Sequence, residues 1–590
     1  MAIFTPASVR SIAPTGDITG SILIGIVAFG VALFISLLIS FFITGHDQNL
    51  PVAFATIANH GLPFVADHFP VYDWSQALEI SYYVCGISSI VIGIFSGVLI
   101  YLADRPEPIR HVSGRQKIAG TEAISTWKKQ QVVEQKWGGA GLPLVQTPAG
   151  DLLSISLDRE TKHLLFVGGI GAGKTTLIRP LIDAARERGD RCLIFDNKSD
   201  YTSTAVRVKN IILIAPWDAR GAAWDIAADV QNRADAEAFS DSLITGNDKD
   251  PMWSNAARAV LTAMIVRAQR QAPGEWSFNF LADILAAGDA EIQATVTTFT
   301  PEFSVLVADL ESRTTTSILI NLISFLRPVF TLADAWGRCK TQGKFSMRRW
   351  IHEQGHEASK STVVIQGNGA HSALQQAITQ CIFSAITREI TSPRVTDAAP
   401  GDRSIALFLD EFKQLGKLND FGVLVEVGRS KGVRLSVGIQ DISQLREVYG
   451  NDVTTTWLSS FGTMIVGRLS GADTSEWVSK FYGKRKILRY QPSYSNDGTA
   501  APSRTDQWVE DDIPVVRQEE FTSGLGPDAD GVTVFVTTGD DFVYELEGRH
   551  LTATEKKQKR PATMPARWTD ADWPSAANVA MAQTTGEADA

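Results

Sequence analysis

The run Phe166–Thr176, which reads FVGGIGAGKTT, constrains the fold of this chain more than any other feature. It fits the phosphate-binding pattern GxxxxGK[ST], in which glycines let backbone N–H groups close around phosphate oxygens. The apolar segment His163–Val167 before it is typical of a buried strand, and Thr175–Glu187 after it of a helix, although Pro180 costs that helix a hydrogen bond. This order of strand, glycine loop and helix predicts a nucleoside triphosphate site in an α/β domain.

The whole glycine loop is predicted to bind the nucleotide. The lysine reaches the outer phosphates and the hydroxyl after it binds magnesium, which assigns these roles to Lys174 and Thr175. The predicted nucleotide-binding residues are Gly168, Gly169, Ile170, Gly171, Ala172, Gly173, Lys174, Thr175 and Thr176.

Short apolar strands follow the loop and alternate with helical patterns, as in an α/β fold with a mostly parallel sheet covered on both faces. The predicted strands are Arg191–Asp196, Ile211–Ala215, Thr362–Gln366, Ile405–Asp410, Leu435–Gln440 and Thr463–Arg468. Ligands bind at the carboxyl edge of such sheets, where Asp410 and Glu411 end an apolar strand. We expect Asp410 to hold magnesium through water and Glu411 to polarise the attacking water.

Three further polar residues are candidates for catalysis. Gln440 ends the next strand on the same edge, where it would sense the outer phosphate or simply cap the strand. Arg429 lies in the turn before that strand, and could reach the site of a neighbouring subunit as an arginine finger. Arg468 is the rival for this role, and an ordinary surface ion pair is the alternative for either arginine.

Composition limits the classes of function. The chain has 590 residues, enough for two or three modules, and its formal net charge of -10 argues against wrapping duplex DNA by bulk charge. Its four cysteines lie far apart, which supports neither a disulfide framework nor a zinc cluster and indicates a reducing cytoplasm for the soluble part.

Two uncharged apolar stretches near the N-terminus predict transmembrane helices, at about residues 18–45 and 80–103. The loop 46–79 between them has no Lys or Arg, whereas basic residues follow the second stretch. The positive-inside rule therefore places both termini in the cytoplasm. On the second stretch Cys85, Ser89, Gly93 and Gly97 form a stripe of small residues, which would pack either the two spans of one chain or two copies.

The remaining chain divides by composition. Residues 111–224 and 351–550 carry the strand pattern of the nucleotide domain, and 225–350 have helical spacing, which predicts an inserted all-α domain. The first part of this insert is acidic and the stretch 313–349 is basic, so a protein-docking surface fits the acidic part better than a DNA-binding one. Residues 551–590 are predicted to be a disordered tail.

Several motifs together resemble the coupling proteins of type IV secretion and bacterial conjugation. These are GGIGAGKTT, FDNKSDY after the second strand, IAPWDARGAAWDI before the insert, and LFLDEFKQLGKL leading into GRSKGVRLSVGIQDISQLREVYG. The resemblance runs from the first span to about Glu547. It implies a RecA-like P-loop NTPase fold and assigns nucleotide roles to Lys174, Thr175, Asp410, Glu411, Arg429 and Gln440.

The same resemblance implies a function. Such proteins are similar to hexameric ATP- and Mg²⁺-dependent motors in the bacterial inner membrane, which deliver a relaxase-bound single DNA strand, or proteins, to the ATPases and inner-membrane subunits of a type IV secretion channel. Two alternatives remain open: an ATPase that secretes protein effectors only, and a docking receptor switched by ATP that translocates nothing. DNA-stimulated hydrolysis of ATP distinguishes the first reading from both.

Overall fold

A computed structural model gives the structure of the chain. It describes residues 18–43, 76–103, 109–138, 141–205, 210–244, 246, 251–338, 341–398, 403–495, 503–529, 531–549 and 563–573. The chain divides into two compact units, one made of Met1–Gly114 with Lys484–Ile513 and the other of Arg115–Gly483 with Pro514–Ala590.

The strands of the described residues are numbered along the chain. They are β1 Ile109–Ser113, β2 Gln116–Ala119, β3 Pro143–Gln146, β4 Leu152–Ser154, β5 Leu164–Val167, β6 Arg191–Asp196, β7 Ile211–Ile214, β8 Ala223–Trp224, β9 Lys344–Phe345, β10 Thr362–Gln366, β11 Ile405–Leu409, β12 Val433–Ile439, β13 Thr463–Val466, β14 Lys484–Ser495, β15 Ser503–Pro514, β16 Gly526–Pro527, β17 Gly531–Thr537 and β18 Phe542–Arg549.

The first unit contains two helices, Ile18–Ile43 and Gln76–Ala103, and a sheet of order β1-β14-β15. A Cβ built on Gly25 would lie 3.0 Å from the carbonyl oxygen of Gly93 and 3.5 Å from the Cα of Gly97. The small-residue stripe therefore packs the two helices of one chain against each other, as one of the two alternatives predicted. The side chain of Cys85 lies outside the described residues.

Over the side chains that the structure describes, neither helix is long and apolar enough to be identified as a membrane span. The described apolar parts of the two helices are Ile24–Ile35 and Gly86–Leu99. By length and composition alone, one bent pair of helices in the described chain does pass, Arg313–Phe325 with Arg327–Arg338 at an angle of 43°. The predicted connecting loop 46–79 lies largely outside the described residues.

The second unit is built on a 13-stranded sheet, whose main path has the order β4-β3-β18-β17-β13-β5-β12-β11-β6-β10-β7. From β13 to β7 all neighbours are parallel, and from β13 to β4 they are antiparallel. Every residue of β5, β6, β10, β11, β12 and β13 is buried, so both faces of the parallel part are covered. The predicted α/β fold with a large, mostly parallel sheet is confirmed.

Most of the described α-helices of this unit alternate with the parallel strands or cluster between β7 and β10, and the first two precede β5. They are Gly120–Gly138, Leu157–Thr161, Lys174–Arg188, Thr202–Ala205, Ile226–Asp229, Arg233–Leu243, Pro251–Gln271, Phe278–Ala286, Asp289–Phe299, Arg313–Phe325, Arg327–Leu332, Met347–Ile351, Ser372–Thr391, Phe421–Val427, Ile442–Tyr449, Asn451–Ser460 and Ala472–Tyr482. Pro180 lies inside Lys174–Arg188 and the helix continues past it.

The stretch predicted as an all-α insert, 225–350, is mostly helical where it is described. Its strand β9 pairs in parallel with β8, which lies just before the insert. Asp229 is buried near this junction, where it accepts hydrogen bonds from the Ser346 hydroxyl, the Trp224 indole and two backbone N–H groups. These bonds tie the start of the predicted insert to its end.

Two stretches differ from the prediction. The hairpin β14–β15, assigned by its position to the nucleotide domain, groups with the N-terminal unit instead. Residues 563–573, which lie in the stretch 551–590 predicted as a disordered tail, pack within the second unit. There the Trp568 indole donates to the carbonyl of Pro216 at 2.7 Å, and the Trp568 ring contacts His371. The rest of the predicted tail lies outside the described residues.

Candidate nucleotide site

The glycine loop lies between β5 and the helix Lys174–Arg188, at the carboxyl edge of the parallel sheet. Gly173 has a φ of 87°, a left-handed conformation that favours glycine. A Cβ on Gly173 would also lie 2.9 Å from a methyl group of Val532. Both constraints explain why a residue with a side chain does not fit the last position before Lys174. At the apex of the loop, Ile170 is 83% exposed.

Neighbouring strands hold the start of the loop. The N–H of Gly168 donates to the carbonyl of Ile439 at 3.1 Å, and that of Gly169 donates to the carbonyl of Arg468 at 2.8 Å. Nζ of Lys174 donates back to the carbonyls of Gly168 and Gly169, at 2.5 and 3.1 Å. Burial lowers the pKa of Lys174. A partly desolvated ammonium group enclosed by the loop is suited to bind phosphate oxygens.

Thr175 and Asp410 meet as the sequence predicts. The Thr175 hydroxyl donates to Oδ2 of Asp410 at 2.6 Å, although the two residues lie 235 positions apart in the chain. Burial raises the pKa of Asp410. Its other oxygen, Oδ1, is buried and has no hydrogen-bond partner among the described residues. Mg²⁺ prefers oxygen ligands from a carboxylate and a hydroxyl, so this pair fits the predicted metal role.

Glu411 and Gln440 border one cavity of about 130 Å³ next to this pair. Gln440 follows β12, the strand between β5 and β11, so both residues reach the same edge of the sheet. The two oxygens of Glu411 contact Nδ2 of Asn197 at 2.5 Å and Nζ of Lys198 at 2.7 Å. Both residues thus lie at the same sheet edge as the loop, Thr175 and Asp410, although none of these lines the cavity that Glu411 and Gln440 share.

Asn197 and Lys198 contact Glu411 in this site but are not among the residues predicted from the sequence. Both belong to the FDNKSDY segment, which the sequence marks as a family resemblance without assigning a role. Their position directly after a strand of the predicted, mostly parallel sheet indicates the same edge, because parallel strands end together, and β6 does pair in parallel with β11.

The two candidate arginines lie in different places. Arg468 follows β13 and contacts the loop through its carbonyl, while its side chain is exposed and passes close to Gly526. Arg429 lies in the short helix Gly428–Lys431 before β12, at the amino edge of the sheet. Burial lowers the pKa of His163, the residue that precedes β5, and the nearby charge of Arg429 acts in the same direction. The structure does not bring Arg429 to the nucleotide site of its own chain.

The sheet order and the residues at its carboxyl edge define a protein class. The strand of the glycine loop is separated from the strand of Asp410 by one strand, β12, and the loop, the Thr175–Asp410 pair and Glu411 lie at the ends of these strands. This is the arrangement of a P-loop nucleotide-binding fold.

Comparison with known proteins narrows the class. Residues 149–536 match the family described as the type IV secretion-system coupling protein DNA-binding domain. The match covers more than half of the chain, from just before β4 to the end of β17. The chain therefore belongs to this family, as its motifs predicted.

Individual relatives agree with this assignment. The chain is 25% identical over 348 residues to the coupling protein TraD of Escherichia coli (strain K12), which covers 59% of this chain and 47% of TraD. It is 33% identical over 159 residues to the conjugal transfer protein TraG of Agrobacterium fabrum, covering 25% and 24% of the two chains. The chain thus spans about half or less of the length of these relatives.

Solved structures show the same fold. The unbound conjugative coupling protein TrwB, lacking its N-terminal segment, superposes with a TM-score of 0.61 at 21% identity, covering 78% of this chain and 99% of that one. A structure of TrwB in complex with ADP and Mg²⁺ gives a TM-score of 0.60 at 21% identity with the same coverage.

Proposed function

We propose that this chain is an ATP-hydrolysing type IV coupling protein, which recruits a relaxase–DNA complex and pumps single-stranded DNA, with or without protein, into a type IV secretion channel during conjugation. One observation carries the proposal. A chain of the coupling-protein family places Lys174, Thr175, Asp410 and Glu411 together at one sheet edge, the set that ATP hydrolysis needs.

Each residue of the nucleotide site has a separate role in ATP hydrolysis. Lys174 neutralises charge on the outer phosphates, and Thr175 with Asp410 holds the metal. Mg²⁺ held by Thr175 and Asp410 would supply positive charge against the negative charge that develops on the transferred phosphate. Glu411 orients the attacking water, and Gln440 senses the outer phosphate. Binding of ATP and Mg²⁺ is supported by the fold shared with TrwB, for which complexes with ADP and Mg²⁺ and with the ATP analogue ADPNP are known.

The active form is a ring, most simply a hexamer, in which Arg429 completes the site of the next subunit. This arrangement is supported by the position of Arg429 at the edge of the sheet opposite its own loop. The ring is anchored in the bacterial inner membrane by two spans at about 18–45 and 80–103, with both termini in the cytoplasm and the loop 46–79 in the periplasm. Helices of 26 and 28 residues begin at Ile18 and Gln76, long enough to cross a bilayer.

Cargo recognition is assigned to the helical stretch 225–350. Its first part is acidic, which suits a basic protein such as a relaxase or an accessory factor and disfavours naked DNA. The channel ATPases and inner-membrane subunits are the expected partners on the membrane side.

The test measures ATP hydrolysis by the full-length chain in detergent, with and without single-stranded DNA, and conjugative transfer in cells. The wild type is expected to hydrolyse ATP faster with DNA, and Lys174→Ala to lose both hydrolysis and transfer while still inserting into the membrane. Lys417→Ala, which changes an exposed lysine outside the site, is the matched control. Transfer by Lys174→Ala at the wild-type rate would refute the motor function.

Two other functions give different results in the same assay. An ATPase that secretes only protein effectors hydrolyses ATP without stimulation by DNA and delivers effectors but no DNA. A docking receptor switched by ATP binds nucleotide with little turnover, and Glu411→Gln then leaves its output intact.

A further inference from the structure

Two side chains after β6 hold the carboxylate of Glu411 from both sides. Nδ2 of Asn197 donates to Oε2 at 2.5 Å, and Nζ of Lys198 lies 2.7 Å from Oε1. The Glu411 side chain is only 11% exposed. Each carboxylate oxygen therefore has one protein donor, and the contacts come from a segment 214 positions away in the chain.

The backbone around Asn197 is itself fixed. Asp196 is buried and accepts hydrogen bonds from the N–H and the hydroxyl of Thr202, at 2.5 and 2.6 Å. The N–H of Gly367, at the end of β10, donates to the carbonyl of Asp196 at 2.9 Å. A Cβ on Gly367 would lie 2.6 Å from the Cα of Asn197 and 2.7 Å from its Oδ1. Asn197 thus occupies space that is open only because residue 367 has no side chain.

Lys198 differs from Asn197 in its exposure. Its side chain is 61% exposed, and its hydrogen bond to Glu411 raises its pKa. It is close enough to Lys174 to lower the pKa of that residue. An exposed ion pair alone contributes little stability, about 0–1 kcal/mol. The ion pair of Lys198 therefore contributes little to the stability of the fold. Its charge, however, lies beside the predicted phosphate site.

We propose that Asn197 and Lys198 are positioning residues, which fix the plane of the Glu411 carboxylate so that its remaining lone pairs can orient the attacking water. The assignment rests on the proposed ATP hydrolysis. A carboxylate has about four lone-pair directions, so two donors on separate oxygens leave acceptor capacity for water. Without these donors the side chain rotates, and a misplacement of about 1 Å can cost on the order of 100-fold in rate.

The first experiment separates turnover from binding. In the full-length chain with saturating single-stranded DNA, Asn197→Ala and Lys198→Met are expected to lower kcat for ATP by roughly 10- to 100-fold while KM changes less than about threefold. Lys198→Arg should restore most of the rate, because it returns a cation to Oε1. Lys417→Met is the charge-matched control, since Lys417 is an exposed lysine outside the pair of contacts that Asn197 and Lys198 make to Glu411.

A third variant changes Gly367, the residue after β10 that packs against Asn197. Gly367→Ala introduces no charge and touches Asn197, so it should lower kcat in the same selective way. Binding of a fluorescent ATP analogue, measured for each variant, establishes that the loop is still folded.

The decisive test adds each change to Glu411→Gln. If Asn197 and Lys198 act through the carboxylate, Asn197→Ala or Lys198→Met should lower the residual single-turnover rate of Glu411→Gln by less than about twofold. If either change lowers the single-turnover rate of Glu411→Gln as strongly as it lowers the wild-type rate, the proposal is overturned. Asn197 or Lys198 would then have a general structural role. Normal kcat in Asn197→Ala would overturn the proposal as well.

Failure of the proposed function has a different signature. A wild-type chain that binds the ATP analogue but does not hydrolyse ATP refutes the ATPase. A wild-type chain that hydrolyses ATP, beside Asn197→Ala, Lys198→Met and Gly367→Ala variants with unchanged kcat, refutes only the positioning of Glu411.

Discussion

Arg429 is expected to act only on the site of a neighbouring subunit. It precedes β12, a strand of seven residues, and the nucleotide site lies past the other end of that strand. At roughly 3.3 Å per residue the strand is about 23 Å long, more than an arginine side chain can span. Arg429→Ala should therefore reduce ATP turnover on the order of 10³-fold without weakening nucleotide binding to its own loop.

The assay mixes two inactive variants. Arg429→Ala subunits keep an intact loop, and Lys174→Ala subunits keep an intact arginine. In rings mixed at random in equal amounts, about a quarter of the interfaces pair an intact loop with an intact arginine, so activity should return to roughly a quarter of the wild-type rate. The ATPase rate of the wild type should also rise more than linearly with protein concentration, since a single subunit has no complete site.

The composition of the rings must be verified, for example by pulling down one tagged variant and quantifying the other. No recovery in rings shown to be mixed would refute the trans role of Arg429. Arg468 then becomes the candidate, since its carbonyl already contacts the loop of its own chain and its side chain is exposed nearby.

Four further outcomes are expected. Glu411→Gln should bind ATP and stall, with equilibrium nucleotide binding unchanged and turnover reduced to a small residual rate; normal turnover would mean that the carboxylate roles are assigned to the wrong residues. Burial lowers the pKa of His163 from 6.5 to about 4, so the unfolded chain takes up a proton first as the pH falls. The free energy of unfolding should drop by about 3 kcal/mol between pH 6.5 and 4, and His163→Asn should remove this part of the pH dependence. Trp568→Ala should lower the free energy of unfolding by about 2 kcal/mol, measured by denaturant titration, through loss of a half-buried ring and one hydrogen bond. Exchanging 225–350 for the same stretch of a related coupling protein should change which relaxase complex is transferred and leave basal ATPase activity within a few-fold; transfer of the original cargo would contradict the docking role.

Much of the nucleotide site could be predicted because its chemistry is local in the sequence. The loop needs its glycines and Lys174 at fixed spacing, and the carboxylates of Asp410 and Glu411 follow an unbroken apolar strand. Parallel strands end at a common edge, so the meeting of Thr175 and Asp410 followed from the order of strand and loop alone.

Other features depend on contacts that the sequence does not encode locally. The hydrogen bond from Asn197 to Glu411 joins residues 214 positions apart, and nothing in an Asn-Lys pair indicates its partner. The strands β14 and β15 carry runs of consecutive charged residues, and the sequence assigns them by position to the nucleotide domain, whereas the pairing of β14 with β1 places them in the other unit. Trp568 lies in a short polar stretch, so its packing against Pro216 was not expected from composition.

The two edges of the parallel sheet separate the residues proposed to act within one chain from Arg429, which is proposed to act on a neighbouring subunit. Thr175, Asp410 and the Asn197–Glu411 pair lie at the carboxyl edge and assemble within one chain, because β5, β11 and β6 all end there. Arg429 lies at the amino edge, and no rotation of its side chain brings it to that set. Under the proposed function, a single chain binds nucleotide and orients Glu411, whereas Arg429, the proposed transition-state cation, lies too far from its own site to act there. If a neighbouring subunit in the ring supplies this cation, ATP hydrolysis is coupled to contact between subunits. A motor whose subunits hydrolyse ATP in response to their neighbours requires this coupling.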